Sequence, residues 1–330
     1  MITIKDVARR AGVSVATVSR VINNSAHPVN NETRRRVMAA IEDLGFYPNA
    51  MARSLQFNET RTIGLMLPDI ANPYYPGIVR GVEDVAQDVG YTVILCNTDR
   101  SKERTQRYLR VLREKRVDGI VFTGGGVVEE ANRERFFETQ VPAVVIGRHP
   151  FPLKAVQIDN VHAAKAAVQF LLSKGHRRIA TITGPTTSTT VQDRLSGYRL
   201  ALAEGGLKPE EAWTVEGDFT PAGGYTALVR LPWRDRQKRP TAIFAQNDLM
   251  AIGIMKALKD LGLKVPEDVA VVGFDDIPLA SYAAPALTTV AVPVYDLGVA
   301  AMRVLTELFA GRGADPVTLL ETRLVVRDST

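Results

Sequence analysis

One arginine and a group of short polar side chains near the amino terminus are spaced to grip a polyanion. Residues 3–24 read Thr-Ile-Lys-Asp-Val-Ala-Arg-Arg-Ala-Gly-Val-Ser-Val-Ala-Thr-Val-Ser-Arg-Val-Ile-Asn-Asn. If residues 15–23 form a helix with Val18, Val21 and Ile22 inward, then Val15, Ala16, Thr17, Ser19 and Arg20 face outward. Arg20 can offer two parallel donors to a guanine edge, and the methyls of Val15 and Ala16 suit a thymine methyl. Ser14, Thr17, Ser19 and Asn23 are short donors for phosphates. Residues 1–40 carry seven Lys or Arg against two Asp or Glu, a basic head on a nearly neutral body.

The elements that must hold these groups are legible around them. Residues 5–11 read as a first helix, and Gly12 is free to take the positive φ that ends it. Ser14 can cap the second helix. A third opens at Asn31 or Glu32 and closes near Gly45, with Val37, Ala40, Ile41 and Leu44 inward. Residues 48–55 are a short fourth helical candidate with Asn49 as cap, and residues 56–61 read as a linker. From there strand-like runs alternate with helical stretches: Thr62–Leu67, 91–96, 119–122 and Ala143–Ile146, then 178–182, Ala242–Ala245 and 269–273. That grammar predicts parallel βαβ units in two similar lobes meeting near residue 155.

The 330 residues, 45% apolar and 23% charged, suit a well-packed chain of two or three domains. A single cysteine, Cys96, sits in an apolar run and fits a reducing cytoplasm. No apolar stretch is long enough to span a bilayer, and the start lacks the pattern of a secretory signal. The four histidines are dispersed, and there is no dinucleotide fingerprint, P-loop or metal-ligand cluster. Gly124-Gly-Gly126 reads as a tight turn. The expectation is a non-enzyme without cofactor or metal.

The 3–24 segment resembles, almost residue for residue, the headpiece of the lactose/galactose repressor (LacI/GalR) family, and the likeness continues through residues 47–55 and, more loosely, to the end of the chain. It implies an α/β protein: an all-α helix-turn-helix headpiece (1–48), a hinge helix and linker (49–60), and a two-lobed, periplasmic-binding-protein-like body of doubly wound parallel sheets (61–330). The first lobe would take about 61–156 and 293–316, the second about 157–292 and 317–330. The implied activity is that of a transcriptional regulator, acting as a homodimer on palindromic double-stranded operator DNA. The resemblance adds Thr3, His27, Tyr47, Asn49, Ala52 and Leu55 to the DNA-contacting set. Slim Ala50 and Ala52 would let the hinge approach the minor-groove floor, with Leu55 as the apolar wedge.

The resemblance also implies a small, sugar-like effector between the lobes. Tyr74, Tyr75, Arg148, Thr190, Arg194, Phe219, Asn247 and Asp275 match effector-contacting positions. Their chemistry suits that ligand: carboxylate, guanidinium and amide bracket hydroxyl pairs, and aromatics cover apolar ring faces. Asp159 reads as readily as a helix cap. Val292 departs from the glutamine many relatives carry, so no particular relative's effector transfers. Residues 74–89 and Pro278–Tyr282 match the dimer interface, and the absence of trailing leucine heptads predicts a dimer. Residues 295–303, with Asp69 and Asp84, resemble the catabolite-control branch, whose corepressor is a phosphorylated carrier protein. A periplasmic sugar-binding protein is the rival of another class, opposed by the basic head.

Overall fold

The computed structural model describes residues 2–22, 29–46, 59–124, 141–209, 213–233, 239–313 and 315–330. Two compact units emerge, Met1–Thr60 and Arg61–Thr330. The expected hinge, with Asn49, Ala52 and Leu55, and the positions Asn23, His27 and Tyr47 lie outside the described residues.

The first unit is built from α1 (Ile4–Ala11), α2 (Val15–Ile22) and α3 (Asn31–Leu44). At the start of α1 the Asp6 carboxylate accepts from the Thr3 amide at 2.9 Å and its hydroxyl at 2.7 Å, which holds Asp6 below the usual carboxylate range. Gly12 stops the helix at φ 64°, a conformation that costs a side-chain-bearing residue energy. Asn30 caps α3 through the Thr33 amide at 2.7 Å, and the helix opens at Asn31 as the sequence suggests. Val7, Ala8, Ala11, Val18, Val21, Val37 and Ala40 form the buried core, with Ile22, Ile41 and Leu44 packed partly buried against it. Arg36 on α3 donates to the carbonyls of Ala11 and Gly12, tying the third helix to the turn.

The second unit begins β1 (Thr62–Leu67), α4 (Tyr74–Asp88), β2 (Thr92–Asn97), α5 (Lys102–Glu114), β3 (Gly119–Thr123), β4 (Ala143–Ile146) and β5 (Lys154–Ile158). It continues α6 (Asn160–Ser173), β6 (Ile179–Thr183), α7 (Thr189–Glu204), β7 (Thr214–Glu216), α8 (Pro221–Val229), β8 (Ala242–Ala245), α9 (Asp248–Asp260) and β9 (Ala270–Asp275). Last come α10 (Pro278–Tyr282), β10 (Thr288–Ala291), α11 (Val294–Phe309), β11 (Val317–Leu320) and β12 (Arg323–Val325). Two six-stranded sheets result, ordered β11-β5-β4-β3-β1-β2 and β12-β10-β9-β8-β6-β7. Pairing is parallel except where β12 runs antiparallel to β10.

The first sheet keeps all of β5 and β11, which pair from Ala155 with Val317 to Ile158 with Leu320. The chain therefore leaves the first sheet after Ile158 and after Leu320. β11 and β12 are separated by only two residues. Close helix packing also shapes this lobe. A Cβ on Gly81 would lie 2.2 Å from the Tyr295 carbonyl oxygen, so α4 and α11 meet backbone to backbone. Cys96 is buried and its thiol is pushed up to about 11 by burial, the state of an inert core group. No helix among the described residues is long and apolar enough to cross a membrane.

Candidate DNA-binding face and effector cleft

On the first unit, α2 sorts its side chains as its periodicity requires. Val18 and Val21 are buried, while Val15 (40% exposed), Ala16 and Arg20 are exposed, and Thr17 and Ser19 are half-buried on the same outer side. Ser14 is the cap: its hydroxyl accepts from the Thr17 amide at 3.1 Å and lies 2.9 Å from the Thr17 hydroxyl. The capping bond fixes the first turn of α2, so the exposed edge made by Val15, Ala16 and Arg20 is presented by a rigid element. Thr3 is exposed at the start of α1.

In the second unit, a cavity of about 330 Å³ opens at the carboxyl ends of both sheets, where α4, α6, α7 and α9 begin. Seven of the eight sequence candidates line it: Tyr74, Tyr75, Thr190, Arg194, Phe219, Asn247 and Asp275. Tyr74 and Tyr75 open α4 and meet edge to face at 5.1 Å. Burial raises both hydroxyl pKa values, Tyr75 to about 12, so both are neutral donors. Asn247 caps α9 through the Met250 amide at 2.9 Å and donates to the Phe219 carbonyl at 3.0 Å. Phe219 lies across Gly184, where a Cβ would come within 2.1 Å of the ring.

At the floor, Arg194 on α7 is buried. It donates to Asn160 Oδ1 at 2.9 Å and to the Gln246 carbonyl, faces Asp275 at 3.6 Å, and stacks 3.6 Å from the Phe274 ring centroid. Asp275 ends β9 at φ 119°. Burial pushes its carboxyl up to about 7, and Arg194 opposes only part of that rise. Asp248, directly behind, is also raised by burial and by the Asp275 charge, although Thr289 and the Ile277 amide donate to it. Three side-chain-bearing residues with left-handed backbone line this cavity, namely Arg100, Phe219 and Asp275. Such strain concentrates where a fold holds a site against local preference.

The raised Asp275 has a measurable consequence. Between about pH 4 and pH 7 the folded chain holds a proton that the unfolded chain has released, so this group's contribution to stability falls as pH rises. Thermal melts of the wild type minus those of Asp275→Asn should trace a declining curve across that window; a flat difference contradicts it.

Arg148 is placed apart from the other seven. It does not line the cavity; its guanidinium forms two bonds to Asp193 on α7, at 2.8 and 2.7 Å, and its side chain is 54% exposed. The turn at Gly147 (φ 115°) carries it past the strand end, and the carboxylate of the opposite lobe captures it. The Thr189 hydroxyl also donates to the Arg148 carbonyl at 3.2 Å. These contacts bridge the lobes at the rim. Because the Arg148 guanidinium is more than half exposed, Arg148→Ala should weaken ligand binding by only about two- to fivefold. Calorimetric titration checks this; a hundredfold loss would make Arg148 a direct ligand after all.

Asp159 caps α6 through the His162 amide at 2.9 Å and stays outside the cavity. Sequence reasoning missed Asn72, Arg100, Gln157, Asn160 and Ser188, which also line it. Asn72, Arg100 and Ser188 sit in turns without periodicity, while Gln157 lies within β5 and Asn160 opens α6, so nothing in their local pattern marks them. Among the described residues, no group of three or more His, Cys, Asp or Glu could hold a metal.

Residues 3–49 match the model of bacterial regulatory proteins of the lacI family, and residues 168–330 match a periplasmic binding protein-like domain. Catabolite control protein A of Priestia megaterium is 40% identical over 100% of this chain and 99% of its own length. The chain belongs to the lacI family of bacterial regulatory proteins. This lacI-family chain is also 41% identical to the ribose operon repressor of Escherichia coli K12, over 92% of each protein. Its fold matches the crystal structure of the lac repressor dimer bound to operator and the anti-inducer ONPF, with TM-score 0.89, 29% identity and coverage of 99% of this chain and 98% of that one. It is a DNA-binding transcriptional regulator, not an enzyme.

Proposed function

We propose that this lacI-family regulator acts in the cytoplasm as a homodimer, repressing from a palindromic operator under control of a small polyhydroxylated effector bound between its lobes. The single observation that carries the effector half is the cavity in which Arg194, Asp275, Asn247 and Thr190 face Tyr74, Tyr75 and Phe219. Its volume lies in the range of small-molecule sites, and its lining matches hydroxyl pairs on an apolar ring. The same cleft favours a small effector over a phosphorylated carrier protein as the controlling ligand.

Three strand-to-strand crossings join the lobes, after β5, after β10 and between β11 and β12. An effector that binds one lobe angle better than another shifts the population toward it. In a dimer that shift changes the spacing of the two headpieces, and so the grip on two half-sites one helical turn apart. Coupling of this kind is typically about 1–3 kcal/mol. Leu279 and Tyr282 on α10, 50% and 84% exposed, supply an apolar surface for the partner subunit.

In the DNA half, Arg20 is the reader. Arg20→Ala should cost about 1–3 kcal/mol at one base-pair position and relax preference there, with other positions unchanged. Selectivity identical to wild type would remove Arg20 from the base-reading set. For the cleft, monosaccharides, disaccharides and polyols are titrated calorimetrically into wild type and Asp275→Ala. Binding lost in the variant supports the site; binding undiminished by it overturns the assignment.

A further inference from the structure

The charge balance inside the cavity points beyond a neutral sugar. Among the described residues lining it, Asp275 is the one carboxylate, whereas Arg194 and Arg100 are two guanidiniums. Arg194 is spoken for: Asn160, the Gln246 carbonyl and Asp275 take its donors. Arg100 is not. It follows β2 with a left-handed backbone (φ 55°), and its guanidinium lies over the Phe219 ring at 5.3 Å from the centroid. The neighbouring carboxylate, Asp99, is turned away to Arg104 and Asn97. Among the described residues Arg100 makes no ion pair, and its positive charge reaches the Tyr75 hydroxyl across the cavity.

The backbone adds to this field. The first turns of α4, α6 and α7 contribute lining residues, as does Asn247, the cap of α9, so helix N-termini direct partial positive charge at the same space. At α7 the cap residue Ser188 leaves its hydroxyl unused for capping and lines the cavity beside Thr187 and Thr190. A neutral polyol would satisfy the Arg194–Asp275 floor and leave a guanidinium and free donors at the Arg100 end without an acceptor.

We propose that the effector is an acidic sugar derivative, a sugar carboxylate or sugar phosphate, whose ring rests on the Arg194–Asp275 floor and whose anionic group is bound by Arg100. This rests on the cleft being the effector site. The ring would pass beside Phe219, and the anion would join Arg100 of the first lobe to the Ser188 end of α7 in the second. An acidic effector therefore ties the lobes together by charge, and the group that confers specificity also favours the closed arrangement.

The test is calorimetric titration of the full chain with matched sets: glucose, glucuronate and glucose 6-phosphate; galactose and galacturonate; ribose and ribose 5-phosphate. The expected result is that an acidic member binds at least roughly tenfold tighter than its neutral parent, with an affinity that falls as salt rises. In Arg100→Gln that advantage disappears, and Arg100→Lys restores much of it. A preference for carboxylate or phosphate members identifies which anion is read. Arg100 is exposed, so the ligand-free melting temperature of Arg100→Gln should match the wild type and show that the variant is folded. Equal or tighter binding of the neutral parents, binding of no acidic member, or an acidic preference that survives Arg100→Gln overturns the proposal. Failure of the cleft itself is distinguishable: binding would then persist unchanged in Asp275→Ala.

Discussion

Arg194→Ala should abolish measurable effector binding and destabilise the second unit by about 3–5 kcal/mol, the cost of breaking a buried ion pair from one side. The guanidinium is 6% exposed and is the centre of a four-way arrangement of Asn160, the Gln246 carbonyl, Asp275 and the Phe274 ring. Its loss leaves the Asp275 carboxylate buried without its counter-charge. The carboxyl, already raised to about 7, then rises further, so the variant's deficit should deepen as pH increases through and above 7. Melts at pH 6 and pH 8 measure this directly. Because the two partners share one interaction, Asp275→Asn in the Arg194→Ala background should cost far less than in the wild type. Simple additivity in that cycle would mean that the pair does not hold the floor of the cleft.

Val18→Asp is expected to unfold the first unit and eliminate operator binding, while the second unit keeps its melting transition and its ligand. Val18 is fully buried among Val7, Ala8, Ala11, Val21, Val37 and Ala40. So small a core supplies only about 3–5 kcal/mol, less than the cost of burying a carboxylate with no partner. Two independent readouts check it: loss of DNA retention on a gel, and an unchanged calorimetric titration of effector. Retained operator binding would show that α2 is not held by this core. Loss of effector binding as well would show that the two units do not fold separately.

Much of this was readable from the residues. The positive φ at Gly12, the Ser14 cap and the apolar stripe of α2 are each dictated locally, and the structure has all three. Continuous apolar runs likewise marked β1, β4 and β8 over the residues they occupy. Where a side chain's role depends on what a distant segment brings to it, the sequence fell short. Arg148 stands just past β4, and nothing near it in sequence shows that Asp193 will reach it from 45 positions away. Arg100 was passed over because nothing in its neighbourhood shows that Phe219 will lie beneath it. Asn160 looks like an ordinary first residue of a helix and becomes part of the site only through Arg194. The short strands β7, β11 and β12 lack a period long enough to register and are recruited by the strands beside them.

The central claim, that the exposed edge of α2 reads a two-fold symmetric operator and that the cleft controls it, meets its most direct test in one selection. Purified protein is used to enrich random duplexes at two salt concentrations, with and without the tightest-binding sugar derivative. The account predicts a palindrome whose affinity falls as salt rises, with counterions released from the phosphates. It also predicts that the ligand shifts that affinity roughly 5- to 150-fold. Enrichment of no palindrome, or of one indifferent to every ligand that occupies the cleft, would contradict it.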